Sequence, residues 1–170
     1  LVIWAPRALA QCGPNLHVLF EDLGAEIPEL TPLPTSGVIP AWVSVDRVMN
    51  GFGRFTGYDT SQGVEFETNY LFDVMAYATR FTVGGGTASM QARLLRGKYF
   101  NESLTKIPTF RTFAGTTPGM TQREQARTLA TLTSDNVNVN IISVGTGSSR
   151  RLLAISDMTG YVELDKETLA

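Results

Sequence analysis

The stretch that decides the fold runs from Asn69 to Arg96 and reads NYLFDVMAYATRFTVGGGTASMQARLLR. Side chains alternate between two faces from Met75 to Val83, with the period of two that is typical of a half-buried strand. Three glycines, Gly84–Gly86, follow and can adopt the positive φ that reverses a chain. A second alternating run extends from Ala88 to Leu94. The stretch therefore predicts a β-hairpin.

Further alternating runs on both sides of this hairpin predict an all-β chain of meandering antiparallel sheets. The predicted strands are Trp42–Met49 (followed by a turn at Asn50–Gly53), Val64–Phe72, Ile107–Phe113, Asp135–Gly145, Ser148–Ser156 and Gly160–Leu164. One short helix is predicted near residues 121–132, because Thr121 and Glu124 have the spacing of a capping box before an apolar face.

The N-terminal residues 1–35 differ in composition from the rest and predict an extended arm. Asn15–Leu23 has apolar residues at helical spacing and predicts a short helix that ends at Gly24. Several prolines then follow, and they favour an extended, linker-like chain on a surface. We therefore expect two regions, an arm at 1–35 and a β domain at 36–170.

Composition excludes several classes of function. Hydrophobic residues make up 43% and charged residues 18%, values typical of a globular protein. A net charge of −2 gives no basic footprint for nucleic acid. No apolar run reaches the ~18 residues of a membrane span. Cys12 and His17 are the single cysteine and histidine, so an intrachain disulfide is excluded and a transition-metal site lacks its usual ligands.

Two patterns that resemble catalytic motifs have simpler structural interpretations. Glu65 and Glu67 lie two residues apart on one strand face, which favours a solvated edge over acid–base chemistry. Gly84–Gly86 is followed by a second strand rather than by G-K-[ST] and a helix, so it is no phosphate-binding loop. The sequence thus predicts no catalytic residue and no metal ligand, and it assigns no role to Cys12 or His17.

Six short motifs, in order along residues 36–169, resemble those of the carotenoid cleavage oxygenase family, which includes retinal pigment epithelial membrane protein and the apocarotenoid oxygenases. The family pattern begins G-x-I-P-x-W, N-G-P-G-x-F and H-L-F-D-G, and continues with F-G-T and T-D-N-x-N-V. The matching stretches are GVIPAW (37–42), NGFGRF (50–55), YLFD (70–73), FAGT (113–116), SDNVNV (134–139) and LLAIS (152–156).

The resemblance implies a seven-bladed β-propeller, of which these residues would form a part. It also implies one non-haem Fe(II), held by four histidines, that cleaves a conjugated double bond of a carotenoid with O₂. Three residues depart from the pattern, Tyr70 for His, Val74 for Gly and Phe52 for Pro. The family's iron ligands fall downstream of Ala170, so Fe(II) is expected only in a full-length member and none is expected in this chain.

The sequence leaves the enzymatic status open between two main functions. We favour a non-catalytic structural or binding subunit of a larger, pigment-containing and photosynthetic assembly, since an incomplete propeller leaves strand edges for other protein chains. Its partners would include a carotenoid or other pigment and a peripheral membrane contact, with a plastid or membrane-associated location. The alternative is the N-terminal fragment of an iron-dependent carotenoid or apocarotenoid dioxygenase. A third interpretation is an unrelated all-β binding module.

Overall fold

The computed structural model describes residues 21–60, 63–68, 73–105, 135–156 and 160–170. Within these ranges all strand pairs are antiparallel, which confirms the predicted all-β class. The strands are β1 (Ile27–Pro32), β2 (Val45–Arg54), β3 (Thr56–Asp59), β4 (Val64–Glu67), β5 (Met75–Gly84), β6 (Thr87–Leu94), β7 (Asn140–Val144), β8 (Arg151–Ile155) and β9 (Tyr161–Leu164). One short helix, α1 (Lys98–Ser103), follows β6.

The predicted hairpin is confirmed as β5 and β6, the centre of a four-stranded sheet in the order β1-β6-β5-β2. Its register pairs Val83 with Ala88 and Gly84 with Thr87. Gly85 and Gly86 form the turn with φ of 57° and 80°, a region that favours glycine. All of β6 pairs with β5, and β5 also pairs with β2 on its other side, so the hairpin forms the middle of this sheet.

Strand β2 is longer than predicted, and the turn predicted at Asn50–Gly53 is wrong. The strand continues to Arg54, with an irregularity in its pairing to β5 between Phe52 and Arg54. Gly53 serves a close approach instead of a turn, since a Cβ there would lie 2.6 Å from the Cβ of Tyr77. Glycine in a strand therefore marks a bulge beside a bulky neighbour here.

Part of the proline-rich stretch predicted as an extended arm forms β1 at the edge of the four-stranded sheet. Pro28 and Pro32 fit an edge strand, because proline has no N–H to donate to a further strand. The carbonyl of Pro28 accepts a hydrogen bond from the buried Gln91 side chain at 2.7 Å. This side-chain hydrogen bond thus adds to the backbone pairing between β1 and β6.

A separate three-stranded sheet is built from β7, β8 and β9 in sequence order. Its first strand starts at Asn140, so the strand predicted from Asp135 is wrong for its first five residues. A 3₁₀ turn at Gly147–Ser149 replaces the start of the strand predicted at Ser148–Ser156. The last predicted strand is confirmed as β9. In the Asn-rich alternation at 135–139, the side chains of Asn136 and Asn138 instead form hydrogen bonds to backbone groups at the start of β5.

The core lies where the four-stranded and three-stranded sheets pack face to face. Small residues on β5, Ala76 and Ala78, allow close approach to Leu152 and Ala154 on β8. The buried members of this cluster are Ala76, Ala78, Leu95, Val137, Leu152, Ala154, Leu164 and Leu169. A second, smaller cluster of Met75, Tyr99 and Phe100 packs α1 against the start of β5.

A turn at Asp165–Ala170 covers one end of this core. Leu169 is fully buried and has a φ of 58°, which costs a non-glycine residue conformational energy. The Asp165 carboxylate accepts hydrogen bonds from the N–H and hydroxyl of Thr168, and then from the Glu167 N–H, which lowers the pKa of Asp165 below its ordinary value. These bonds hold the backbone that inserts Leu169.

Strands β3 and β4 form a separate two-stranded hairpin in which Phe66 lies over a glycine. An added Cβ at Gly57 would lie 2.3 Å from the Phe66 ring. Glu65 and Glu67, on the opposite face from Phe66, are exposed as the sequence predicts.

We expect Gly57→Ala to lower the free energy of unfolding by about 2 kcal/mol, because the buried Phe66 ring must move out of its position. Urea unfolding measures this change. Gly51→Ala is the matched control, since a Cβ there meets no heavy atom within 4 Å and should be close to neutral. Equal stability of the two variants would contradict the prediction.

Several sequence predictions lie outside the described residues. These are the helix near 121–132, the strand at Ile107–Phe113, most of the helix at Asn15–Leu23, and the positions of Cys12, His17 and Tyr70. Residues 21–23, at the end of the second of these helices, are not helical. Helix α1 was not predicted from the sequence, because it is six residues long and Gly97 before it offers no capping side chain.

Candidate functional site

A cleft of about 530 Å³ lies between the chain segment before β1 and the end of β6 with α1. We call it the N-terminal cleft. Its floor and rim combine leucine and phenylalanine side chains with two carboxylates and two guanidinium groups. The lining residues are Asp22, Leu23, Gly24, Ala25, Glu26, Arg54, Leu94, Arg96, Phe100 and Leu104.

One wall of the cleft is fixed by Asp22. Its carboxylate accepts hydrogen bonds from the backbone N–H of Phe55 at 2.5 Å and of Thr56 at 3.3 Å, and from the Thr56 hydroxyl. The N–H of Leu23 donates to the carbonyl of Gly53 at 2.9 Å. These bonds attach residues 22–23 to the bend between β2 and β3, and they occupy the Asp22 carboxylate.

Glu26 fixes the opposite wall. Its carboxylate accepts a hydrogen bond from the N–H of Leu94 at 2.8 Å and pairs with the Arg96 guanidinium. The Arg96 guanidinium also lies 5.6 Å from the centre of the Phe100 ring, within the range of a cation–π contact. Burial and, second, the charge of Glu26 raise the pKa of Tyr77 above its ordinary value.

Arg54 is the remaining charged group of the cleft. It ends β2, directly after the close approach at Gly53, and is partly exposed. In the described part of the chain it forms neither an ion pair nor a hydrogen bond through its side chain. The Arg54 guanidinium therefore lacks the carboxylate partner that Arg96 has in Glu26.

The second polar feature is the segment Asp135–Asn138, buried from Asn136 onward, which we call the polar clamp. Asn136 accepts a hydrogen bond from the Ala76 N–H at 3.1 Å and donates to the Val74 carbonyl at 2.8 Å. Asn138 donates to the same carbonyl at 2.9 Å. The clamp therefore satisfies backbone groups at the start of β5, in the buried region where those groups have no access to water.

The polar clamp also contacts α1 and β2. The Asp135 carboxylate accepts hydrogen bonds from the N–H groups of Lys98 and Tyr99, and so caps α1 from a distant part of the sequence. The Asn50 side chain of β2 donates to the carbonyl of Val137 at 2.5 Å and to that of Asn140 at 3.2 Å. One segment thus joins three elements, which indicates a structural role.

The chain's own residues do not fit the four-histidine iron centre that the resemblance implies. The sequence contains one histidine, so three of the four imidazole ligands would have to come from elsewhere. Among the described residues, no group of three or more His, Cys, Asp or Glu side chains is arranged to hold a metal ion. The carboxylates of the cleft are instead occupied by backbone N–H groups.

Comparison with known proteins identifies the class to which this fold belongs. A model of the family described as retinal pigment epithelial membrane protein matches residues 20–170. The chain belongs to this family, that of the carotenoid cleavage oxygenases, and its antiparallel sheets are part of the family's β-propeller. No curated protein matches the chain. Within the described ranges, no helix has the length and apolar character needed to cross a membrane.

Two of the quoted motifs lie at structural junctions. The stretch at 50–55 forms the end of β2, with Asn50 bound to the clamp and Phe55 bound to Asp22. Residues 135–138 of the stretch at 134–139 form the clamp itself. The sequence did not predict the N-terminal cleft, because its walls come from residues 22–26 and 94–104, which are far apart in the chain.

Proposed function

We propose that these residues form a non-catalytic, structural part of a propeller that assembles with other protein chains. The supporting observation is the outer face of the three-stranded sheet, which points away from the core. Ile142 and Tyr161 are 38% and 59% exposed. Cross-strand register places Ile142 opposite Leu153, and Ile155 opposite Tyr161, on one face. The Arg151–Glu163 ion pair lies on the same face, beside this apolar group. Exposed apolar side chains grouped in this way and bordered by charged residues are typical of a surface that another element covers.

The four-stranded sheet has a similar outer face near the end of its hairpin. Val45 and Met49 of β2 are 44% and 41% exposed. They share this face with Phe81 and Val83, because Val45 pairs with Val83, and Phe81 lies two residues from Val83 on β5. Arg47 lies opposite Phe81 on the same face. Both sheets therefore carry exposed apolar side chains, beside charged residues, on the faces that point away from the core. A single further sheet could cover one of these faces, and full coverage needs partners on both sides.

The native size of the protein tests this proposal. Light scattering on the protein purified from its source should give a mass well above 18.5 kDa, the mass of one chain. Ile142→Lys should return the mass toward that of one chain, because a lysine on the covered face must lose its hydration. Val64→Lys is the matched control, since Val64 is 44% exposed on β4, which belongs to neither of these two sheets. A monomeric wild-type protein would contradict the proposal.

A second candidate is the N-terminal fragment of an iron-dependent carotenoid or apocarotenoid dioxygenase. The same apolar faces favour it, because further sheets of one longer chain could cover them. Intact mass of the native polypeptide separates the two candidates: 18.5 kDa favours a separate subunit, and a mass about threefold larger favours the enzyme. Stoichiometric iron, or carotenoid turnover, in a preparation of these residues alone would contradict a non-catalytic role.

A pigment-containing, photosynthetic assembly in a plastid or at a membrane surface is the setting that we propose for such a subunit. Its support is the kinship with the carotenoid cleavage oxygenases. Co-purification of a stoichiometric carotenoid with the wild-type protein, and its loss from Ile142→Lys, would support this setting. A colourless assembly would contradict it.

A further inference from the structure

We propose that the N-terminal cleft binds a small amphiphilic carboxylate, with Arg54 pairing with the carboxylate group. The inference goes beyond the proposed structural function and does not depend on it. It follows from three properties of the cleft, namely its charge, its apolar lining and its size.

Of the two guanidinium groups in the cleft, that of Arg96 pairs with Glu26, whereas that of Arg54 has no ion pair among the described residues. Asp22 and Glu26 both accept hydrogen bonds from backbone N–H groups, and Glu26 also pairs with Arg96. The carboxylates are thus held on the walls by bonds that a ligand would have to break. Arg54 has no such bond among the described residues, so its guanidinium is available to pair with an anion. A planar guanidinium can bind a carboxylate through two parallel hydrogen bonds.

The apolar lining indicates what is attached to that anion. Leu23 and Leu104 are 47% and 44% exposed, and both border the cleft. Leu94 and Phe100 also line the cleft, although Phe100 is only 5% exposed. An inorganic anion would leave these side chains in water, whereas an aliphatic or aromatic body would cover them. The volume of about 530 Å³ lies within the range of small-molecule sites, which is roughly 300–1,000 Å³.

Decanoate and 1-decanol provide a direct test, since they share a chain and differ in charge at neutral pH. We expect calorimetry on the purified full chain to give at least tenfold tighter binding for decanoate. In Arg54→Gln, the affinity for decanoate should fall about tenfold and the affinity for decanol should be unchanged, because the variant removes the charge and leaves the apolar lining. The matched control is Arg47→Gln, on the same strand and outside the cleft, which should bind both ligands like the wild type.

Thermal unfolding of each variant shows whether the fold is retained. Arg54→Gln should melt like the wild type, because the Arg54 side chain makes no hydrogen bond or ion pair among the described residues. Leu104→Ser should weaken both ligands by a similar factor. Equal affinity for decanoate and decanol would overturn the proposal, as would equal losses in Arg54→Gln and Arg47→Gln. Inorganic phosphate binding as tightly as decanoate, or binding to anionic phospholipid vesicles without binding to free decanoate, would also overturn it.

Discussion

Replacement of Asn136 by alanine should lower the free energy of unfolding by about 3 kcal/mol, the upper end of the roughly 1–3 kcal/mol that a buried N–H left without a partner costs. The N–H is that of Ala76, which donates to the Asn136 side chain in a region where Ala76 is 2% exposed. The Val74 carbonyl would keep its bond from Asn138. Urea unfolding, followed by circular dichroism, measures the change.

An exposed asparagine provides the control for this prediction. Asn101 lies on α1, is exposed, and makes a long 3.4 Å contact to the Arg96 carbonyl. Asn101→Ala should change stability by less than about 0.5 kcal/mol. If the free energy of unfolding of Asn136→Ala lies within about 1 kcal/mol of the wild-type value, the polar clamp does not contribute the stability that we assign to it.

Tyr99→Ala should cost about 4 kcal/mol, since it removes a ring that is 1% exposed from the contact between α1 and the start of β5. Tyr99→Phe keeps the ring and removes the hydroxyl, which donates to the Asp73 carbonyl at 2.5 Å. We expect that variant to cost about 1 kcal/mol. The difference between the two values measures packing separately from the hydrogen bond.

Tyr161→Phe is the control for the hydroxyl, because Tyr161 is 59% exposed and its variant should be close to neutral. A large loss in Tyr99→Phe, comparable to that in Tyr99→Ala, would show that the bond to Asp73 dominates over packing. A small loss in Tyr99→Ala would show that α1 can detach without affecting the sheets.

The sequence correctly predicted the elements whose patterns involve residues close together in the chain. The β5–β6 hairpin, its glycine turn and the exposed glutamates of β4 all follow from neighbours two residues apart. β9 follows from the same period. The family resemblance, confirmed over residues 20–170, rests on motifs that are also short and local.

The predictions that failed depend on contacts between residues far apart in the chain. Gly53 marks a close approach to Tyr77, which a sequence pattern cannot distinguish from a turn. The Asn-rich alternation at 135–139 fits a strand, but its amides bind backbone groups of β5 instead. Helix α1 is capped by Asp135, 37 residues away from Lys98, so no local signal marks its start. The cleft was missed for the same reason.

The distance in sequence between the polar clamp and β5 has a consequence for the order of events during synthesis. Asn136 bonds to Ala76, 60 residues earlier in the chain. At about 5–20 residues per second, a ribosome needs roughly 3–12 s to add that length. The hairpin can form as soon as it leaves the ribosome, but the Ala76 N–H at the start of β5 lacks its partner Asn136 throughout this interval. Burial of the Ala76 N–H in the core must therefore follow the synthesis of Asn136.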